Sequence, residues 1–437
     1  MCALFLLISR VASTSAALLL TMVGVRAEGL KEVNPPATPD ANQTTALVGA
    51  RLIDGLGGAP IENAVVILGG NSINAVGGRD KVTIPDEAKR IDLSGLTLLP
   101  GLMDSHFHSI NDLKTPVDYL LAKGVTSFRD PGHPFRFYQA VRQTEHAMPR
   151  VFLCGAHLDS YPAIWPQQAI LIKDAQHARN TVFDHVDHGA SAIKIYFRLP
   201  LEFHAPVCEA ALQRGVPVTA HLELVDAADS IRAGVRGIEH VTSFGTSLAE
   251  PKEATRFKKQ IRFDPTARKK LRHELWATID LERSPRVQPL IDLIVEKNVF
   301  VSPTLAIFEK RLGEKGGTES EVRGFKNMLQ FVGLCHKAGA KVVVGSHTSA
   351  PFAKSGEAYQ RELELLVDAG MSPMEVIGSA TIHNAFFFGA EDRLGSIEPG
   401  KVADLLVVDG DPSENIEAMK QVRYVMLNGE WIGDSLP

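Results

Sequence analysis

Residues 96–108 read Leu96-Thr97-Leu98-Leu99-Pro100-Gly101-Leu102-Met103-Asp104-Ser105-His106-Phe107-His108, an apolar run that ends in two histidines one residue apart. The rhythm of the chain changes here. On the N-terminal side lie short alternating runs, 46–53, 64–67, 72–76 and 89–93, separated by Asp54-Gly55, Gly57-Gly58 and Gly69-Gly70. Apolar residues alternating between turn-forming pairs are the pattern of strands joined by hairpins. On the C-terminal side, short apolar runs alternate with stretches of helical period. The runs are 96–103, 125–128, 151–154, 192–196, 216–220, 237–238, 299–301 and 341–344. Gly124, Gly189, Gly215, Gly234 and Gly339 stand where a preceding helix would end, the place at which glycine most often stops one.

Eight β–α repeats are what an α/β chain needs for a (β/α)8 TIM-like barrel, with 96–99 as its first strand. A doubly wound open sheet would show the same alternation, but no Gly-x-Gly-x-x-Gly follows that strand. After a last helix over 373–388, strand-like runs return at 394–397, 403–408 and 422–432. Strand-rich segments thus bracket the barrel, and the economical expectation is one small β-sandwich formed from both chain ends. The expected division gives 46–95 and 389–437 to the sandwich and 96–388 to the barrel. Residues 250–289 form a long charged insertion between the sixth and seventh strands.

Composition narrows the function classes. The chain has 437 residues, is 45% hydrophobic and 22% charged, and carries a net charge of −5. Such values suit a globular protein and give no electrostatic footprint for nucleic acid. The one basic patch, 262–272, alternates with apolar residues and is expected to form a solvated helix face. The N-terminus has Arg10, an apolar stretch over 16–25, and Val25-Arg26-Ala27 before Glu28, the layout of a cleaved signal peptide over 1–27. A polar, proline-rich tail over 28–45 would follow. The expectation is therefore a secreted or periplasmic protein, with no membrane partner after cleavage. Cys154, Cys208 and Cys335 are too widely spaced for a disulfide framework or a zinc ribbon, and read as buried thiols.

The histidines carry the chemistry. His106 and His108, two apart in an extended segment, would project the same way at the C-terminal end of the first strand, where two neutral imidazoles begin a metal site. With 15 histidines in the chain, one His-x-His is unremarkable by chance; its position raises it. Lys194 interrupts the apolar run Ala192-Ile193-Lys194-Ile195-Tyr196. An ammonium there is either paired with a carboxylate or a buried amine of lowered pKa, able to take up CO2 as a metal-bridging carbamate. His221 and His240 end the next two strands. Tyr196, His133 and His157 lie at or just past strand ends, within reach of a small-molecule substrate, although each also suits an ordinary loop residue.

With these residues in view, the chain resembles the metal-dependent amidohydrolase superfamily, in its imidazolonepropionase-like and prolidase-like branch. The resemblance spans about 46–437 and is most specific over 98–108 and over 394–405, which reads LGSIEPGKVADL. Gly124-Val125-Thr126 and Ser302-Pro303-Thr304-Leu305 also resemble this branch. The likeness implies two divalent ions, usually zinc. His106 and His108 would hold one, His221 and His240 the other, and carboxylated Lys194 would bridge them. It also implies metal-assisted hydrolysis of an amide, peptide-like or cyclic amide bond. The sequence departs from the pattern after the eighth strand, where Val344-Gly345-Ser346-His347-Thr348 sets histidine in place of the usual proton-shuttling aspartate. Imidazole can ligate metal or accept a proton near neutral pH, but one nitrogen cannot do both. Either His347 takes over the catalytic role, or the protein is a catalytically impaired binding protein on an enzyme scaffold. A deaminase releasing ammonia is a further alternative.

Overall fold

A computed structural model describes residues 39–40, 43–109, 114–139 and 147–433. The expected signal peptide, 1–27, and most of the tail over 28–45 lie outside them. Six strands come first: β1 (Thr44–Val48), β2 (Arg51–Leu52), β3 (Ala64–Gly69), β4 (Ser72–Gly78), β5 (Lys89–Asp92) and β6 (Leu96–Pro100). Ten follow in a region interleaved with helices: β7 (Leu102–Asp104), β8 (Val125–Asp130), β9 (Arg150–Leu153), β10 (His157–Asp159), β11 (Ala169–Leu171), β12 (Ile193–Ile195), β13 (Val218–His221), β14 (Gly237–Glu239), β15 (Phe300–Ser302) and β16 (Lys341–Val342). The last are β17 (Leu405–Asp409), β18 (Val422–Leu427) and β19 (Glu430–Ile432).

The flanking strands make two sheets, ordered β4-β3-β1-β5 and β19-β18-β17-β6-β2. The second joins the chain ends, since β17 pairs antiparallel with β6. Leu47, Leu52, Val66, Ile91, Leu98, Leu405 and Met426 pack into one buried cluster that both sheets share. The opposite faces are covered too: Ala46, Val65 and Ile67 pack with Ile84 and Ala88, and Leu99, Leu406, Val408 and Leu427 pack into the large core of the parallel strands.

The run 96–103 corrects the sequence reading. It is not one barrel strand but two strands with different partners. Leu96–Pro100 belongs to the flanking sheet, in register Leu98↔Val407 with β17. Only after Gly101 does Leu102–Asp104 pair in parallel with β8. Gly101 is the crossing point: a Cβ there would lie 2.3 Å from the Thr126 hydroxyl oxygen, so no larger residue fits. Both halves are buried, which makes the change of partner invisible to hydropathy.

The interleaved strands form two parallel sheets, β7-β8-β9 and β11-β10-β12-β13-β14-β15-β16. The Ser105 N–H donates to the Val344 carbonyl at 2.8 Å, and the Ser191 N–H to that of Leu153 at 2.8 Å. Each bond ties one parallel sheet to the other, giving a TIM-barrel-like α/β arrangement. Strands β10 and β11 were not foreseen, being three residues each with no alternation to betray them. The insertion forms helices Pro251–Phe263, Arg268–Ala277 and Val287–Glu296. Within it, Arg268 and Arg272 turn inward instead of forming a solvated face, with side chains 13% and 15% exposed. Aromatic rings draw them there: Arg268 lies over Phe197 at 5.0 Å and Arg272 over Phe308 at 4.5 Å. The three cysteines are free and buried, as expected. Among the described residues no helix is long and apolar enough to cross a membrane.

A buried ion pair joins the flanking sheets to the parallel strands. Arg150 on β9 donates to Asp404 through Nε at 2.8 Å and Nη2 at 3.2 Å, and Asp404 also accepts from the Asn428 N–H at 2.7 Å. Removing one partner of such a pair leaves an uncompensated buried charge. Asp404→Asn should therefore cost about 3–5 kcal/mol, read as a lower midpoint in urea denaturation. The double variant Arg150→Met/Asp404→Leu should recover most of that loss.

Candidate metal centre

The histidines converge where the parallel strands end. His221 closes β13, His240 follows β14, His106 and His108 follow β7, and His347 follows β16. His106 Nε2 and His108 Nε2 lie 3.1 Å apart. The ring of His106 is 4.5 Å from that of His240 and 5.3 Å from that of His347, and His221 lies 4.5 Å from His240. One ligand atom from each of His106, His108 and His347 lies within 4.8 Å of the others, a grouping that could hold a metal ion. Burial drives the pKa values of His106, His108, His221 and His240 down, with neighbouring positive groups adding to the effect on the last three. Neutral imidazole is the form that ligates metal. The buried Nε2 of His221 and Nζ of Lys194 make no hydrogen bond, which leaves the imidazole nitrogen free for the same purpose.

One carboxylate the sequence reading did not single out organises this cluster. Glu239 has no exposure; its Oε2 accepts from His106 Nδ1 at 2.7 Å and its Oε1 from the Thr219 hydroxyl at 2.7 Å. Lys194 Nζ lies 3.8 Å from Oε1, inside ion-pair range but without a hydrogen bond. Burial alone would raise the Glu239 pKa, yet Lys194 and His106 hold it well below the usual carboxylate range. In return its hydrogen bond fixes the His106 tautomer with Nε2 bare toward the cluster, the part carboxylates play behind metal-bound histidines. The signal was present: Glu239 stands in a three-residue strand that is otherwise apolar, directly before His240.

Backbone geometry tightens the ring of ligands. Of the residues outside glycine with left-handed φ, His240, Thr304, His347 and Thr348 lie at this site. Such backbone costs about 1–3 kcal/mol per residue and persists where the surroundings over-determine it. Here His240 Nδ1 meets the Thr304 hydroxyl at 2.7 Å, and Thr348 Oγ1 accepts from the His108 N–H at 2.8 Å while donating to its carbonyl at 2.7 Å. Asp104 Oδ1 accepts from the backbone N–H groups of His106 and Ser346, each at 3.0 Å, so it joins the first and last parallel strands.

The three residues expected to contact substrate separate here. The rings of Tyr196 and His157 meet at 4.2 Å, tilted by 39°, beside the cluster, with Tyr196 5.0 Å from the ring of His221. His157 opens β10 instead of ending a strand, and its Nε2 is unpartnered. His133 lies beside His108, their rings 6.4 Å apart, with its Nδ1 on Asp130 at 2.7 Å and its ring stacked on Phe137 at 4.3 Å. Asp130, 3.9 Å from His108 Nδ1, makes with His108 and His133 a second grouping with metal-ligand spacing.

A family model described as the amidohydrolase family matches residues 97–432. Among solved structures, a Bifidobacterium longum protein described as a prolidase is 25% identical with a TM-score of 0.69, over 90% of this chain and 95% of that one. A Xaa-Pro dipeptidase with methionine in its active site is 23% identical with a TM-score of 0.67, over 90% and 100%. The A. niger ochratoxinase is 20% identical with a TM-score of 0.66, over 90% and 96%. No curated protein matches the chain in sequence.

If Glu239 orients His106, Glu239→Gln should weaken divalent metal binding by about 10–100-fold, the usual worth of such a partner. Titration with zinc against a competing chelator reads the change, and unaltered affinity would deny the role.

Proposed function

The chain belongs to the amidohydrolase family, and from that premise we propose that it is a metal-dependent hydrolase acting on an amide or peptide-like bond. The observation that carries this reading is the convergence of His106, His108 and His347 ligand atoms within 4.8 Å, beside Lys194, which makes no hydrogen bond, and the unpartnered Nε2 of His221. On this reading the parallel strands close as an eight-stranded barrel with a two-sheet sandwich beside it. His106 and His108 would hold one divalent ion, His221 and His240 a second, and Lys194, as a carbamate, would be a ligand they share. Burial lowers the Lys194 pKa against the opposing pull of Glu239, which eases the proton loss that reaction with CO2 needs. When bound, such ions would polarise the scissile carbonyl and activate a water.

His347 then manages the proton, accepting it from the attacking water and delivering it to the leaving nitrogen. Burial and the nearby His106 push its pKa down to about 3, so the ring is neutral throughout the neutral range, but the same burial disfavours the protonated ring and makes it a weak base. This differs from the sequence-based expectation of an imidazole that accepts a proton near neutral pH. A bound cation would lower the value further, not raise it. The clustering of His347 with His106 and His108 also favours a second reading, in which it is a third ligand on an impaired, ligand-binding scaffold. Export with cleavage before Glu28 belongs to the same proposal, and sequencing the mature N-terminus tests it.

Metal-loaded protein should release amine and carboxylate from members of a panel of dipeptides and N-acyl amino acids, whereas ammonia release would indicate a deaminase. His347→Ala should lower kcat by roughly 10²–10⁴-fold, the usual contribution of general acid–base catalysis. In the wild type, kcat/KM should show no acid limb near pH 6.5 from this residue. A large gain in turnover for His347→Asp would favour the impaired scaffold.

A further inference from the structure

The inserted helix Arg268–Ala277 carries two cations that the hydrolytic reading leaves unused. Arg268 and Arg272 are four residues apart and share a helix face. Both approach one carboxylate: Arg268 Nη1 lies 3.8 Å from Glu223 Oε2, and Arg272 Nη1 lies 4.0 Å from Glu223 Oε1. Glu223 is fully buried, yet neither of its oxygens has a hydrogen-bond partner, and neither do Arg268 Nη1 and Arg272 Nε. The separations exceed the 2.7–2.9 Å or so of a charge-assisted hydrogen bond, so this is not a closed ion-pair clamp. Two positive charges face one negative charge in a mostly desolvated place, an imbalance that an incoming anion would relieve.

The cluster borders the metal centre. Glu223 Oε2 is 4.0 Å from His221 Nε2. Phe308, on which Arg272 stacks, has its ring 5.7 Å from that of His240. Tyr196, whose hydroxyl accepts from Trp165 Nε1 at 3.1 Å, lies against Arg268. The ring contacts hold both guanidiniums beside the site, and planar N–H forks are suited to a carboxylate.

We propose that Arg268 and Arg272 receive a substrate carboxylate one residue from the scissile bond, making the enzyme selective for N-acyl amino acids and dipeptides with a free C-terminus. The substrate class rests on the hydrolase reading above; the anion receptor does not.

The test compares N-acetyl-L-phenylalanine with its primary amide, by kcat/KM and by calorimetric binding to the metal-loaded full chain. The acid should be favoured by roughly 10²–10³-fold, as expected for pairing a buried charge. Arg272→Met, which keeps the aliphatic stem, and Arg268→Lys, which keeps the charge but loses the fork, should each reduce that preference by 10-fold or more. Hydrolysis of acid and amide at equal rates would overturn the receptor and leave the hydrolase reading standing. Hydrolysis of neither, with binding still selective for the acid and sensitive to both substitutions, would overturn the hydrolase reading and support the receptor. Equal binding of acid and amide would overturn the receptor in either case.

Discussion

The buried carboxylate of Glu239 is the constraint on which the site depends. A charge without access to water must be compensated where it stands, and here Lys194, His106 and Thr219 do so from three different segments. These contacts fix which nitrogen of His106 is bare and hold the lysine amine close to the imidazoles. The strands behind it set the spacing. Because parallel strands end together, residues 106, 194, 221, 240 and 347 become neighbours although they are spread over more than half of the chain.

Much of this was legible in the sequence, for reasons that explain the failures as well. Short apolar runs divided by helix-terminating glycines report parallel strands directly, because such strands are buried on both faces. Lys194 stood out as a charge in an apolar strand, and the histidines as polar residues at strand ends. Glu239 carried the same signal in a strand too short to display it. The run over 96–103 misled because hydropathy reports burial and not the partner, and the partner changes at Gly101. Asp130, three residues before His133, engages its Nδ1, a pairing that the spacing alone did not reveal. The basic stretch over 262–272 was read as solvated because its charge was visible and the rings of Phe197 and Phe308 were not.

Position 347 is where the chain departs from the pattern it otherwise follows. Histidine there brings a fifth imidazole into the cluster and removes a negative charge from its edge. Burial keeps this ring neutral, which suits a metal ligand and leaves the catalytic reading a weak base to work with. The insertion contributes the opposite electrostatics at the mouth, where two guanidiniums outnumber the one carboxylate they face.

The central claim, that these histidines hold divalent metal and use it to cleave an amide, is tested most directly by removing and restoring the ion. Protein stripped by chelator should lose hydrolysis of its best dipeptide or N-acyl amino acid. Turnover should return in proportion to the zinc added, reaching a plateau near two equivalents per chain. Full activity in protein shown by elemental analysis to be free of metal would contradict the account.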